Sequence, residues 1–118
     1  MARTRAIKPG FFQNEYLAEL PLEARLLFIG LWTLADRDGR LEDRPKRIKG
    51  AIFPYEEIDV DKALLLLAES PERFIVRYEV DGKRYIQIVN FGKHQHPHHK
   101  EKPSIILTPD KPEASIPL

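Results

Sequence analysis

The stretch "FIVRYEVDGKRYIQIVNF", residues 74–91, restricts what this chain can fold into more than any other. Two runs of β-branched and aromatic residues flank Asp81-Gly82. A two-residue loop of that composition selects a type I′ turn, which needs positive φ at both central positions. The turn then fixes the register: Val80 opposes Lys83, Glu79 opposes Arg84, Tyr78 opposes Tyr85 and Ile75 opposes Ile88. Ile75, Ile86 and Ile88 cover a core, so the elements before the hairpin have to supply its other side.

Those elements read as helices. Asn14 caps a short helix running to Leu20, with Tyr16, Leu17 and Leu20 on its apolar side. Pro21 opens a second helix to about residue 36, and Leu26, Leu27, Phe28, Ile29, Leu31 and Trp32 make most of its circumference apolar. It is the central core helix. Asp38 and Gly39 mark a turn, with a short extended piece around Arg40 to Glu42. Pro45 opens a third helix that ends near Phe53 before Pro54, and Asp59 caps a fourth that ends at Ser70 before Pro71. Five of the ten prolines lie from Pro97 onward, so residues 93–118 read as an extended or disordered tail rich in His, Lys and Pro.

A chain of 118 residues with 42% apolar content has room for one core. The reading is a basic N-terminal arm over 1–13, a folded domain over 14–92 and the tail. The longest apolar run, Leu26 to Trp32, falls far short of the roughly 20 residues needed to span a bilayer, so no membrane partner is expected. No apolar segment suited to a secretory signal follows the basic start, and there is no cysteine, which makes the cytoplasm the default compartment. The element order of helices, short strand, helices and hairpin is that of an α+β winged helix-turn-helix: three to four helices, a short strand and a C-terminal two-stranded wing.

The segments "ARLLFIGLWTLADRDGRLEDRPKRIKGAIFPY" and "FIVRYEVDGKRYIQIVNFGKHQ" also resemble the N-terminal winged-helix domain of phage replisome organisers and related DnaD-like replication initiation proteins, over about residues 3–104. The resemblance implies double-stranded DNA at a replication origin as ligand, self-association as a homodimer or homo-oligomer, and replication partner proteins recruited through a further C-terminal region. The chain departs from that pattern by ending in a Pro-rich tail, so the recruiting region is expected on a longer parent or not at all.

The net charge of +1 conceals blocks of alternating sign. The block "RPKRIKG" puts Lys46 and Arg47 in the first turn of a helix, where cations are disfavoured by about 0.3 to 1 kcal/mol each. An anion at that end relieves the cost, and Arg44, Lys46, Arg47, Lys49 and free backbone N–H groups suit a phosphate. A solvated face neutralised by Glu42 and Asp43 is the alternative. Lys83 at the hairpin tip is a second candidate DNA contact, whereas Arg84 is expected to pair with Glu79, and Arg77 shares that face. Arg3, Arg5 and Lys8 form a basic arm of the kind that enters a minor groove, and Lys93 and His94 extend the set beyond the wing.

Other chemistry is poorly served. His94, His96, His98 and His99 lack the rigid frame and spacing of a zinc site, so neither metal nor cofactor is expected. Glu56, Glu57, Asp59 and Asp61 stand at a helix start, where carboxylates cap, and no nucleophile or base accompanies them; the chain reads as a non-enzyme. Leu64, Leu65, Leu66 and Leu67 sweep most of a helix circumference, so at least one faces outward and the run is an interaction candidate. Only Lys62 on that helix could read a base edge. The alternatives are therefore a dimerisation or protein-interaction winged helix, or a small transcriptional regulator.

Overall fold

The computed structural model describes residues 2–95, 97 and 99–116. In chain order it contains α1 (Gly10–Gln13), α2 (Glu15–Ala18), α3 (Leu22–Leu34), β1 (Arg40–Glu42), α4 (Pro45–Ile52), α5 (Val60–Glu69), β2 (Ile75–Val80), β3 (Lys83–Ile88), α6 (Phe91–His94) and β4 (Ala114–Ser115). It is an α+β fold in which helices pack on one face of an antiparallel sheet of strand order β1-β3-β2-β4.

Local chemistry sets the boundaries. Asn14 Oδ1 accepts from the backbone N–H of Tyr16 and Leu17 at 2.9 and 3.0 Å, and Asp59 Oδ1 accepts from that of Lys62 at 3.0 Å. Both satisfy donors that a first helical turn leaves open. Pro45 takes the first position of α4, where its missing N–H costs nothing. Asp81 and Gly82 have φ of 51° and 80°, and the hairpin pairs Val80 with Lys83, Glu79 with Arg84, Tyr78 with Tyr85 and Ile75 with Ile88, as the turn requires. Glu79 and Arg84 sit opposite one another without an ion pair between their side chains.

The core forms where α3 lies under α5 and the sheet. Leu27, Phe28, Leu31 and Trp32 of α3 meet Leu64 and Leu67 of α5 and Ile75, Ile86 and Ile88 of the hairpin, all buried. The leucine run divides as its angular sweep demands: Leu64 and Leu67 point inward, Leu66 is half-buried and Leu65 is 46% exposed. Leu64 and Leu67 are thus committed to the core and withdrawn from the interaction set.

The N-terminal arm departs from expectation, whereas the tail takes the extended form, one of its two expected states. The arm over 1–13 contains α1, whose Phe11 ring stands edge-on to Trp32 at 5.6 Å. The tail is an extended strip laid across the other face of the sheet. There the Tyr78 hydroxyl donates to the Leu107 carbonyl at 2.6 Å, Arg40 Nη1 donates to the Ile106 carbonyl at 3.0 Å, and β4 pairs with Glu79 and Val80. No helix among the described residues is long and apolar enough to cross a membrane.

Two predictions follow from this packing. Leu64→Ala should lower unfolding free energy in urea by about 3 to 5 kcal/mol, whereas Leu65→Ala should cost about 1 kcal/mol or less. Burial pushes the Tyr78 phenol up to about 12, while the unfolded phenol titrates near 10, so the native state holds this proton more tightly. Its stabilising contribution is whole below about pH 10 and is lost as pH rises toward 12. Urea midpoints across that range should fall less steeply for Tyr78→Phe than for the wild type.

Candidate nucleic-acid interface

The site begins at a buried ion pair. Arg77 on β2 donates through Nε to Asp43 Oδ2 at 2.7 Å and through Nη2 to Asp43 Oδ1 at 3.1 Å, a bidentate fork. Its Nη2 also reaches Asp61 Oδ1 at 2.6 Å. The Asp43 side chain is 1% exposed. Burial pulls against the charge on Arg77, but the hydrogen bonds and charges of Asp43 and Asp61 outweigh it and raise the guanidinium pKa. Asp43 stands two residues before Pro45, between the end of β1 and the cap of α4, so this fork holds the start of α4 against the hairpin.

Between those two elements lies an open groove of about 730 Å³. Arg44 and Arg47 line it from α4, Lys83 from the hairpin tip, and Ile105, Ile106 and Leu107 from the tail, over an apolar floor that includes Leu34, Ile48 and Ala51. A second recess of about 430 Å³ carries Arg44 and Lys83 on to Arg84. Four of the expected contacts, Arg3, Arg44, Arg47 and Lys83, therefore share one groove although they come from three separate parts of the sequence, and the acids Asp36, Glu42 and Asp81 line it with them. Arg44 meets Glu42 at 3.4 Å, but both side chains are more than half exposed, so the pair contributes little. Lys46, Arg47, Lys83 and Arg84 are exposed and form no ion pair among the described residues. Arg84 belongs to this cluster, and its register opposite Glu79 had concealed it.

Arg3 lines the groove but is tied to the chain's far end, and the remaining expected contacts lie elsewhere. Arg5 is 4% exposed: its guanidinium holds both carboxylate oxygens of Glu101 at 2.8 and 3.1 Å and donates to the carbonyls of Trp32 and Ala35 at the end of α3. Arg3 pairs with Glu101 at 3.2 Å and donates to Ala35. Cations here satisfy the carbonyls that a helix end leaves open and complement its dipole. A free arm entering a minor groove is thereby corrected to a clasp between the two chain ends. Lys8 donates to the Lys93 carbonyl at 2.7 Å; both are exposed, and neither lines the groove. Lys49 donates to the Phe53 carbonyl at 3.3 Å, at the far end of α4. The side chain of His94, and all of His96 and His98, lie outside the described residues.

The outward face of α5 carries Asp61, Lys62, Leu65 and Glu69. With Asp61 engaged by Arg77, only Lys62 could donate to a base edge. Comparison with protein-family models, curated proteins and solved structures gave no match in any of the three.

The clasp and the groove should separate by mutation. Arg5→Ala, which removes the bidentate partner of Glu101 and the donor to the Trp32 and Ala35 carbonyls, should lower unfolding free energy by about 3 kcal/mol. Lys46→Ala should stay within about 0.5 kcal/mol of the wild type in the same urea titration.

Proposed function

We propose that this chain is a winged helix-turn-helix domain that binds the backbone of double-stranded DNA through the start of α4 and the tip of the β2–β3 hairpin, which acts as its wing. The observation that carries the reading is the meeting of Arg44, Arg47 and Lys83 in one groove, with Lys46 and Arg84 exposed beside it and in no ion pair among the described residues. A helix that tolerates Lys46 and Arg47 in its first turn, against its own dipole, gains most from a phosphate placed there. The acidic outward face of α5 argues against sequence reading by that helix, so the contact is with backbone. The resemblance to the N-terminal domain of phage replisome organisers and DnaD-like initiation proteins gives the proposal its setting in replication initiation.

A second reading, an interaction module or dimer, draws on Leu22 and Leu26. They lie one turn apart on α3 and are 73% and 53% exposed. It becomes the preferred one if the DNA test fails.

With about four phosphates contacted, log K for a fluorescein-labelled duplex should fall against log salt with a slope of roughly −3.6 in fluorescence polarisation. Lys46→Glu with Arg47→Glu should abolish binding at physiological salt while leaving the melting temperature nearly unchanged. Unaltered affinity in that double variant, or a flat salt slope for the wild type, would overturn the reading.

A further inference from the structure

Ile105 is 98% exposed, more than any other large apolar side chain described. Single exposed apolar residues are common and carry no message by themselves. Ile105 differs in how it is held and in what stands beside it. Ser104 on one side donates its N–H to Asp38 Oδ2 at 2.8 Å and its hydroxyl to Asp36, and the same hydroxyl accepts the Ile106 N–H at 3.1 Å. On the other side Arg40 binds the Ile106 carbonyl and Tyr78 the Leu107 carbonyl. Ile105 is thus the unanchored crest of a turn fixed before and after it, and the turn forms one bank of the groove whose other banks carry Arg44, Arg47 and Lys83.

From this placement we infer that Ile105 is a wedge: with phosphates seated on Arg44, Arg47 and Lys83, its side chain enters the base stack and opens one step. The inference rests on the DNA reading above. A rigid apolar side chain beside a cationic groove suits this use, because cations fix the duplex while the aliphatic group replaces a stacking contact and kinks the DNA. It also supplies a source of selectivity that α5 lacks. Pyrimidine–purine steps unstack more readily than A-tracts, so sites containing them are favoured with no base edge being read.

The test uses the full chain and a short duplex labelled with fluorescein for polarisation and, in separate copies, with 2-aminopurine at alternate positions. Wild-type binding should raise 2-aminopurine fluorescence, and duplexes rich in TA steps should bind more tightly than A-tract duplexes. Ile105→Ala should bind about tenfold more weakly. It should also lose the fluorescence rise, while keeping the wild-type salt slope and melting temperature, since Ile105 contacts neither phosphate nor core. Binding by the wild type with no fluorescence rise at any position, or equal affinity of Ile105→Ala, overturns the wedge and leaves backbone binding standing. Absence of wild-type binding at low salt overturns both.

Discussion

Arg77 is the tie on which the arrangement of this molecule depends. Its guanidinium draws together β2, the link between β1 and α4 and the first turn of α5 through Asp43 and Asp61, and it does so where burial makes an unpaired charge very costly. Removing Arg77 would leave the Asp43 carboxylate buried and unmatched. The fork geometry also fixes direction, because two parallel hydrogen bonds allow one approach of the strand to the helix. Together with the Asp43 N–H, which donates to the Arg84 carbonyl at 2.9 Å, that pair holds the hairpin close to the start of α4.

This accounts for a contradiction in the sequence. The helix that winged-helix geometry would place in a major groove begins with carboxylates and continues with leucines, a poor reading surface. In the fold, Asp59 caps, Asp61 binds Arg77, and Leu64 and Leu67 enter the core. The acids stay exposed but are occupied, one as a cap and one as a partner of Arg77. The exposed cations are left on the neighbouring helix and on the hairpin tip, where we place the DNA.

Much of the fold was legible because it is governed by short-range chemistry. Asp81-Gly82 specified the hairpin register, Asn14 and Asp59 announced their helices, and the 100° advance per residue required one of four leucines to face outward, which Leu65 does. The site was legible only in part. Arg44, Arg47 and Lys83 were identified singly, but their convergence needed the fold. Arg77 and Asp43 stand 34 positions apart, and Arg5 and Glu101 stand 96 apart, so nothing local distinguishes these partners from solvated charges. Arg5 thus passed for a free cation when it is a structural one. The tail's extended form was legible from its proline content, but only the carbonyls it offers to Arg40 and Tyr78 reveal where it lies.

The claim that α4 and the hairpin hold DNA while α5 faces inward is most directly tested by backbone amide chemical shifts during titration with a short duplex at low salt. The account predicts that the largest changes fall on Arg44 to Lys49 and Asp81 to Arg84, with Asp61 to Glu69 nearly unmoved. Changes concentrated on Asp61 to Glu69, with the α4 and hairpin amides still, would contradict it.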